Sequence, residues 1–269
     1  MSDFYGGQEL LDAAKKFPAD RWPRLLCPRC ERGTLQAKSA DSVVKVEAAD
    51  SASELWRNHE AWEPDWIYGY FHGALHCSET KCDEPTIVTG EYTLDAIPDD
   101  DWGIDYEERL RLRFSIPGLR IMKMPQKCPE PVQARIQEAA NLLWSDPASA
   151  ANRLRSAIEE LLTAQKIPRT KLVPKGATQP KRRKRLSAHE RIIMLKAREP
   201  DAANLLEAVK WIGNSGSHEG TAQSEDVLDG VTLLERALHD LYDDRGKELA
   251  RIAKQINARK GPVRKPRAK

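Results

Sequence analysis

Four cysteines in two closely spaced pairs constrain this chain more than any other feature. Cys27 and Cys30 stand in "CPRC", and Cys77 and Cys82 stand in "CSETKC". Gaps of this size let a turn bring both thiolates of a pair to one ion. Two pairs supply the four ligands of a closed tetrahedral site. The spacing therefore predicts a structural zinc ion on Cys27, Cys30, Cys77 and Cys82, with no open position for catalysis. The 46 residues between the pairs exceed the span of a minimal ribbon. His72 or His76 is an alternative donor, and four unrelated buried thiols are the competing reading. Cys128 stands alone and is expected to be inert. Five cysteines in a chain of 269 residues do not make a disulfide framework.

The hydrophobic period changes once along the chain. Residues 1–20 read as an N-terminal helix ending before Pro18. Residues 21–125 hold short runs rich in Val, Ile, Tyr and Trp, such as "WIYGYFHGALHC" and "PTIVTGEYTL", which predict strands. "RLRLRF" alternates and predicts a strand with one wet face, a helix is possible around "ASELWRNHEAW", and "IPDDDWGIDYEE" reads as an acidic loop. From Pro129 the period is helical. Val132, Ile136, Ala139, Ala140 and Leu143 form one stripe. Asp146 and Pro147 open a second helix, with Ala151, Leu154, Ile158, Leu161 and Leu162 inward. Ser187 and Glu190 stand at capping-box spacing. Asp201 caps the next helix, with Leu205, Val209 and Ile212 inward, and one last helix is expected from about Ser224 to Arg259. The fold class is thus α+β: a small β-rich, zinc-ribbon-like module at 21–125, then an all-α bundle of four to five helices at 129–259. Residues 166–186 read as a basic loop and 260–269 as a disordered basic tail.

Charge is concentrated. Lys166 to Arg185 and Arg245 to Lys269 each carry +9, so the rest of the chain carries −16 against a net charge of +2. Lys181, Arg182, Arg183, Lys184 and Arg185 form the densest run and are candidate phosphate contacts, through counterion release. Five of the seven Trp fall between residues 22 and 102, where they are candidates to stack bases. Two solubilising stretches, or contacts to an acidic partner, are the alternatives. No run of about 20 apolar residues predicts a membrane span, and the N-terminus has no apolar signal core. A cytoplasmic protein is expected.

The stretch "WIGNSGSHEG" reads as a helix stop. Gly213 and Gly216 permit a turn, and Asn214 can bond its backbone. His218 follows Asn214 by four and would share its face if a helix restarts. In the preceding bundle helix, Arg155 and Glu159 either pair at i,i+4 or point at this turn. At these residues the chain resembles domain-of-unknown-function family 4145. Arg155, Glu159, Gly213, Asn214 and His218 match its pattern, and "CPRC" with "CSETKC" looks like the zinc-ribbon-like segment of its members. The resemblance covers roughly residues 20–245. This family looks like a branch of the HEPN helical domains, whose active ribonucleases carry an Arg, a polar residue, three further residues and a His. Gly213 stands in the place of that Arg, and Lys210, the nearest preceding cation, is a further candidate nucleic-acid contact. The resemblance implies nucleic-acid (RNA) or nucleotide binding by a homodimer, in a prokaryotic antiphage defence or restriction-associated system with a possible partner protein. Two other functions are weighed. One is a metal-free endoribonuclease in which His218 handles a proton, with Asn214, Arg155 and Glu159 in support. The other is a protein–protein adaptor.

Overall fold

The computed structural model describes residues 7–99, 103–173, 182–218 and 222–262. Helix α1 (Gly7–Ala14) leads into β1 (Phe17–Pro18), β2 (Leu35–Gln36), β3 (Val43–Glu47) and a single helical turn, α2 (Glu54–Arg57). Three long strands follow: β4 (Tyr68–Cys77), β5 (Pro85–Asp99) and β6 (Gly103–Ile116). All pair antiparallel in the order β1-β6-β5-β4-β2, and β3 also pairs with β4. Phe71, Leu75, Val88, Leu110 and Leu112 turn inward and are buried. Trp22 closes this core, its ring centroid 5.0 Å from Phe17 and 5.9 Å from Phe71.

The described residues of the acidic stretch expected as a loop lie instead in β5 and β6, with Ile97 opposite Asp105 and Pro98 opposite Ile104. The alternation of "RLRLRF" breaks at a bulge, where the register shifts between Thr89 and Gly90. Leu110 and Leu112 face the core, but Phe114 and Ile116 emerge on the outer face. One extra residue on a strand reverses every side chain beyond it.

The helices are α3 (Glu130–Leu142), α4 (Pro147–Ala164), α5 (Ala188–Lys196), α6 (Pro200–His218), α7 (Ser224–Tyr242) and α8 (Asp244–Arg259). Helix α4 is central and touches α3, α5, α6 and α7. Its expected stripe is buried, as is that of α3. Asp146 caps α4 by accepting from the Ser149 N–H, and Ser187 and Glu190 form the reciprocal capping box of α5. Asp201 lies within the first turn of α6 rather than at its cap, and Leu206 takes the fully buried position beside Leu205.

Three further expectations are corrected. The basic segment is not a plain loop: β7 (Thr170–Val173) and β8 (Arg182–Arg185) pair antiparallel. Both strands are almost wholly exposed, so no apolar alternation marked them. The last helix is two helices, broken at the extended residue Asp243 (φ −92°, ψ 121°). Helix α6 also runs through Gly213 to His218 with no turn. The described core is one cluster, running from α1 and the sheet into α3–α7. No helix among the described residues is long and apolar enough to cross a membrane.

Candidate functional site

Two knuckles at one end of the sheet bring the cysteines together. In the first, the Cys27 N–H donates to the Gly33 carbonyl at 2.8 Å and the Glu31 N–H to the Cys27 carbonyl at 3.1 Å. In the second, the Cys77 N–H donates to the Glu84 carbonyl at 3.0 Å and the Cys82 N–H to the Glu79 carbonyl at 2.8 Å. The residue after each second cysteine is left-handed: Glu31 has φ 55° and Asp83 φ 41°. Strand β2 holds the knuckles together, Leu35 opposing Cys77. A Cβ on Gly33 would collide with Cys77 Sγ and come within 2.9 Å of the Glu79 nitrogen, so only glycine lets the knuckles close.

The four sulfurs lie within 4.8 Å of one another. Cys27 Sγ is 3.8 Å from Cys82 Sγ, and Cys30 Sγ is 3.6 Å from Cys77 Sγ. Tetrahedral zinc–thiolate bonds of about 2.3 Å give a sulfur–sulfur edge of about 3.8 Å, so the donor set fits one ion. Backbone N–H groups of Gly33 and Arg32 pull the Cys30 thiol down to about 6. Burial pushes the Cys77 thiol up to about 12. The cluster is thus ready to give up one proton and reluctant to give up another without a cation. Neither His72 nor His76 is needed to complete it. Cys128 is apart from the cluster, buried, with its thiol raised to about 11 by desolvation.

The second candidate lies where α4, α5 and the β7–β8 ribbon meet. A groove of about 830 Å³ is lined by Arg155, Glu159, Arg169, Lys184, Arg185 and Glu190, among others. Arg155 and Glu159 do not pair. Glu159 Oε2 is instead 3.8 Å from Arg185 Nη2. Glu190 gathers the ribbon: its Oε1 accepts from Lys171 Nζ at 3.0 Å and Lys184 Nζ at 3.3 Å, and its Oε2 from the Ser187 N–H at 2.9 Å. These bonds, the Ser187 N–H foremost, lower the Glu190 carboxyl to about 2. Arg169 bonds Glu160 at 3.0 Å. Arg191 also lines the groove, but it is buried and donates to Glu159 O, Thr163 Oγ1 and Ile167 O, so it clamps the end of α4. Among the described residues, Arg155, Arg182 and Arg183 have no acidic partner, and Arg155 Nε is buried without an acceptor.

Gly213 explains how Arg155 sits there. A Cβ on Gly213 would lie 2.8 Å from Arg155 Cβ and 3.0 Å from the Ala151 carbonyl. The glycine serves close approach of α4 and α6, not a turn. It lets the Arg155 stem cross α6 at Gly213. Asn214 and His218 are four apart on the one continuous helix. The side chains of residues 215–218, His218 among them, and all of Lys181 lie outside the described residues. Lys210 is only 4% exposed. Its Nζ lies 3.7 Å from the centroid of the Trp211 ring, 3.3 Å from His189 Nδ1 and 3.6 Å from Glu207 Oε1, and it is not among the residues lining the groove.

Sequence reasoning missed Arg169 as a groove residue, although it lies inside the basic run. It also missed Arg191, whose signal is a charge beside the apolar stripe of α5.

Comparison with known families divides the chain in two. Residues 15–115 match the family "Domain of unknown function (DUF8608)", and residues 137–259 match "Domain of unknown function (DUF4145)". The first match contains all four clustered cysteines, so the cysteine-bearing segment matches a family other than the one expected to cover residues 20–245. The second contains Arg155, Glu159, Gly213, Asn214 and His218. No curated protein and no solved structure matches the chain.

Proposed function

We propose that this protein binds a nucleic-acid backbone without cleaving it, RNA being the expected ligand, and that the cysteine cluster holds a structural zinc ion. The observation that carries the reading is the exposed β7–β8 ribbon beside the groove. It presents Arg182 and Arg183 without acidic partners, and Arg155 stands unpaired at its foot. The strand of cations β8, RRKR, can follow a row of phosphates, and affinity is gained as counterions leave. Lys210 is set aside because it is buried. Zinc is favoured over other ions by four thiolates at tetrahedral spacing, with no fifth donor among the described residues. The homodimer and the defence setting rest on the family resemblance alone.

Fluorescence anisotropy of labelled single-stranded RNA against salt tests this. The wild type should lose affinity steeply with salt. Arg182→Glu/Arg183→Glu should weaken binding and flatten the log–log slope by about 0.7 for each contact removed from a single strand. Unchanged slope and affinity would sink the assignment and favour the adaptor reading.

A second reading has one observation behind it: the Arg155 stem crosses Gly213. Arg155 would then supply the phosphate-facing charge of a metal-free endoribonuclease, with His218 moving the proton, Asn214 in its turn of α6, and Glu159 in the same groove as Arg155. RNA fragments made in chelator by the wild type, and not by His218→Ala, would establish it.

A further inference from the structure

A second groove, of about 660 Å³, opens between the end of β6 and α3, away from the ribbon. Its apolar walls include Phe114, Ile116, Pro117 and Leu142, and its polar groups come from Gln137 and Asn141. Phe114 is 41% exposed because the bulge turned it out of the core. Ser115, opposite the buried Val88, turns to the core face instead, and its buried hydroxyl does not serve the groove. Gln137 Nε2 donates to Asn141 Oδ1 at 3.2 Å. That single bond leaves Gln137 Oε1 as an acceptor and Asn141 Nδ2 with two donors. Arg29 and Glu84 also line the groove, but Arg29 Nη1 donates to Glu84 Oε2 at 2.7 Å, so their charges cancel.

These features select a ligand. A charged group finds no uncompensated partner. An aliphatic side chain would strand two amides, which costs affinity. A flat heteroaromatic ring with donors and acceptors on its edge avoids this: it lies on Phe114 and bonds the carboxamides. The groove has the size and the mostly apolar lining of a small-molecule site. We propose that it holds one unstacked nucleobase, read on its edge by Gln137 and Asn141. The base belongs either to a single strand whose backbone runs on the basic ribbon or to a free nucleotide. Only the first source rests on the function proposed above.

The test uses the full zinc-loaded chain, the four nucleoside monophosphates by calorimetry, and a short labelled single-stranded RNA by anisotropy. Phe114→Ala, Asn141→Ala and Arg182→Glu/Arg183→Glu are compared, with thermal melts to confirm folding. Losing a stacking partner should cost about tenfold in affinity. A strand-borne base predicts that Phe114→Ala and Asn141→Ala weaken RNA binding with the salt slope unchanged, while mononucleotides bind poorly. A free nucleotide predicts that both variants weaken monophosphate binding and the ribbon variant does not, even if RNA does not bind at all. If neither ligand responds to Phe114→Ala and Asn141→Ala, the nucleobase site is overturned, whatever the ribbon variant does to RNA.

Discussion

A methyl group at Gly213 sets two effects against each other. Replacing a helical glycine by alanine stabilises by about 1 kcal/mol through propensity. The same Cβ would lie 2.8 Å from Arg155 Cβ and 3.0 Å from the Ala151 carbonyl. Overpacking of that kind costs about 1–3 kcal/mol. Overpacking should win, so Gly213→Ala should lower the denaturant midpoint, and Gly213→Arg should lower it further without creating a nuclease. A Gly213→Ala protein as stable as the wild type would show that α4 and α6 do not meet here. The cysteines give a prediction with a pH sign. Cys77, pushed up to about 12, is protonated throughout the neutral range, so metal binding must expel at least that proton. Zinc affinity should therefore fall at least about tenfold for each unit that pH drops from 8 to 6, read by competition with a chromophoric chelator. An affinity flat with pH would contradict thiol ligation. The cysteine cluster was legible because its pairs are local in sequence. The groove was legible only at Arg155, Glu159 and the basic run, because Glu190 and Arg169 join it through contacts between elements.

At the scale of elements, Glu190 is the pin of the ribbon. One carboxylate caps α5 and receives a lysine from each strand. Its lowered pKa means that the stabilisation is complete above the ordinary value of 4.5 and is lost as pH falls toward about 2. Glu190→Gln should flatten the acid limb of stability in that window and speed amide exchange in β7 and β8. It also removes a negative charge from the groove, so RNA should bind more tightly and with a steeper salt dependence. Weaker binding would mean that the geometry of the ribbon outweighs its charge. Elements whose signal is apolar period or cap chemistry, such as α3, α4 and α5, were read correctly. Those that bury nothing, such as β7 and β8, carry no period to read. The break at Asp243 lacks glycine and proline, and Gly213 of α6 signals a breaker but serves packing.

For the whole molecule, the question is whether the cysteine-bearing sheet and the helices unfold together. Helix α1 precedes the sheet in sequence, yet it packs against α7 as well as β6. The Lys123 N–H donates to Glu235 Oε1, a carboxylate only 3% exposed, and so ties the segment between sheet and bundle to α7. Ser224 Oγ donates to the Leu143 carbonyl, joining α7 to the end of α3. Cys27 and Cys77 belong to the same buried cluster as Leu154 and Leu234. Energy placed at the metal should then be felt throughout. An ion present at a thousand times its dissociation constant adds about 4 kcal/mol to whatever unit it stabilises. For one cooperative unit of this size, that is a rise of roughly 10 °C in Tm. Calorimetry of zinc-loaded and chelator-stripped protein should show one transition that moves by about that much, with helical circular dichroism and sheet tryptophan fluorescence lost together. If stripping instead melts the tryptophan signal early and leaves the helical signal in place, the sheet and the bundle are separate thermodynamic bodies. The contacts of α1, Lys123 and Glu235 would then be too weak to couple them.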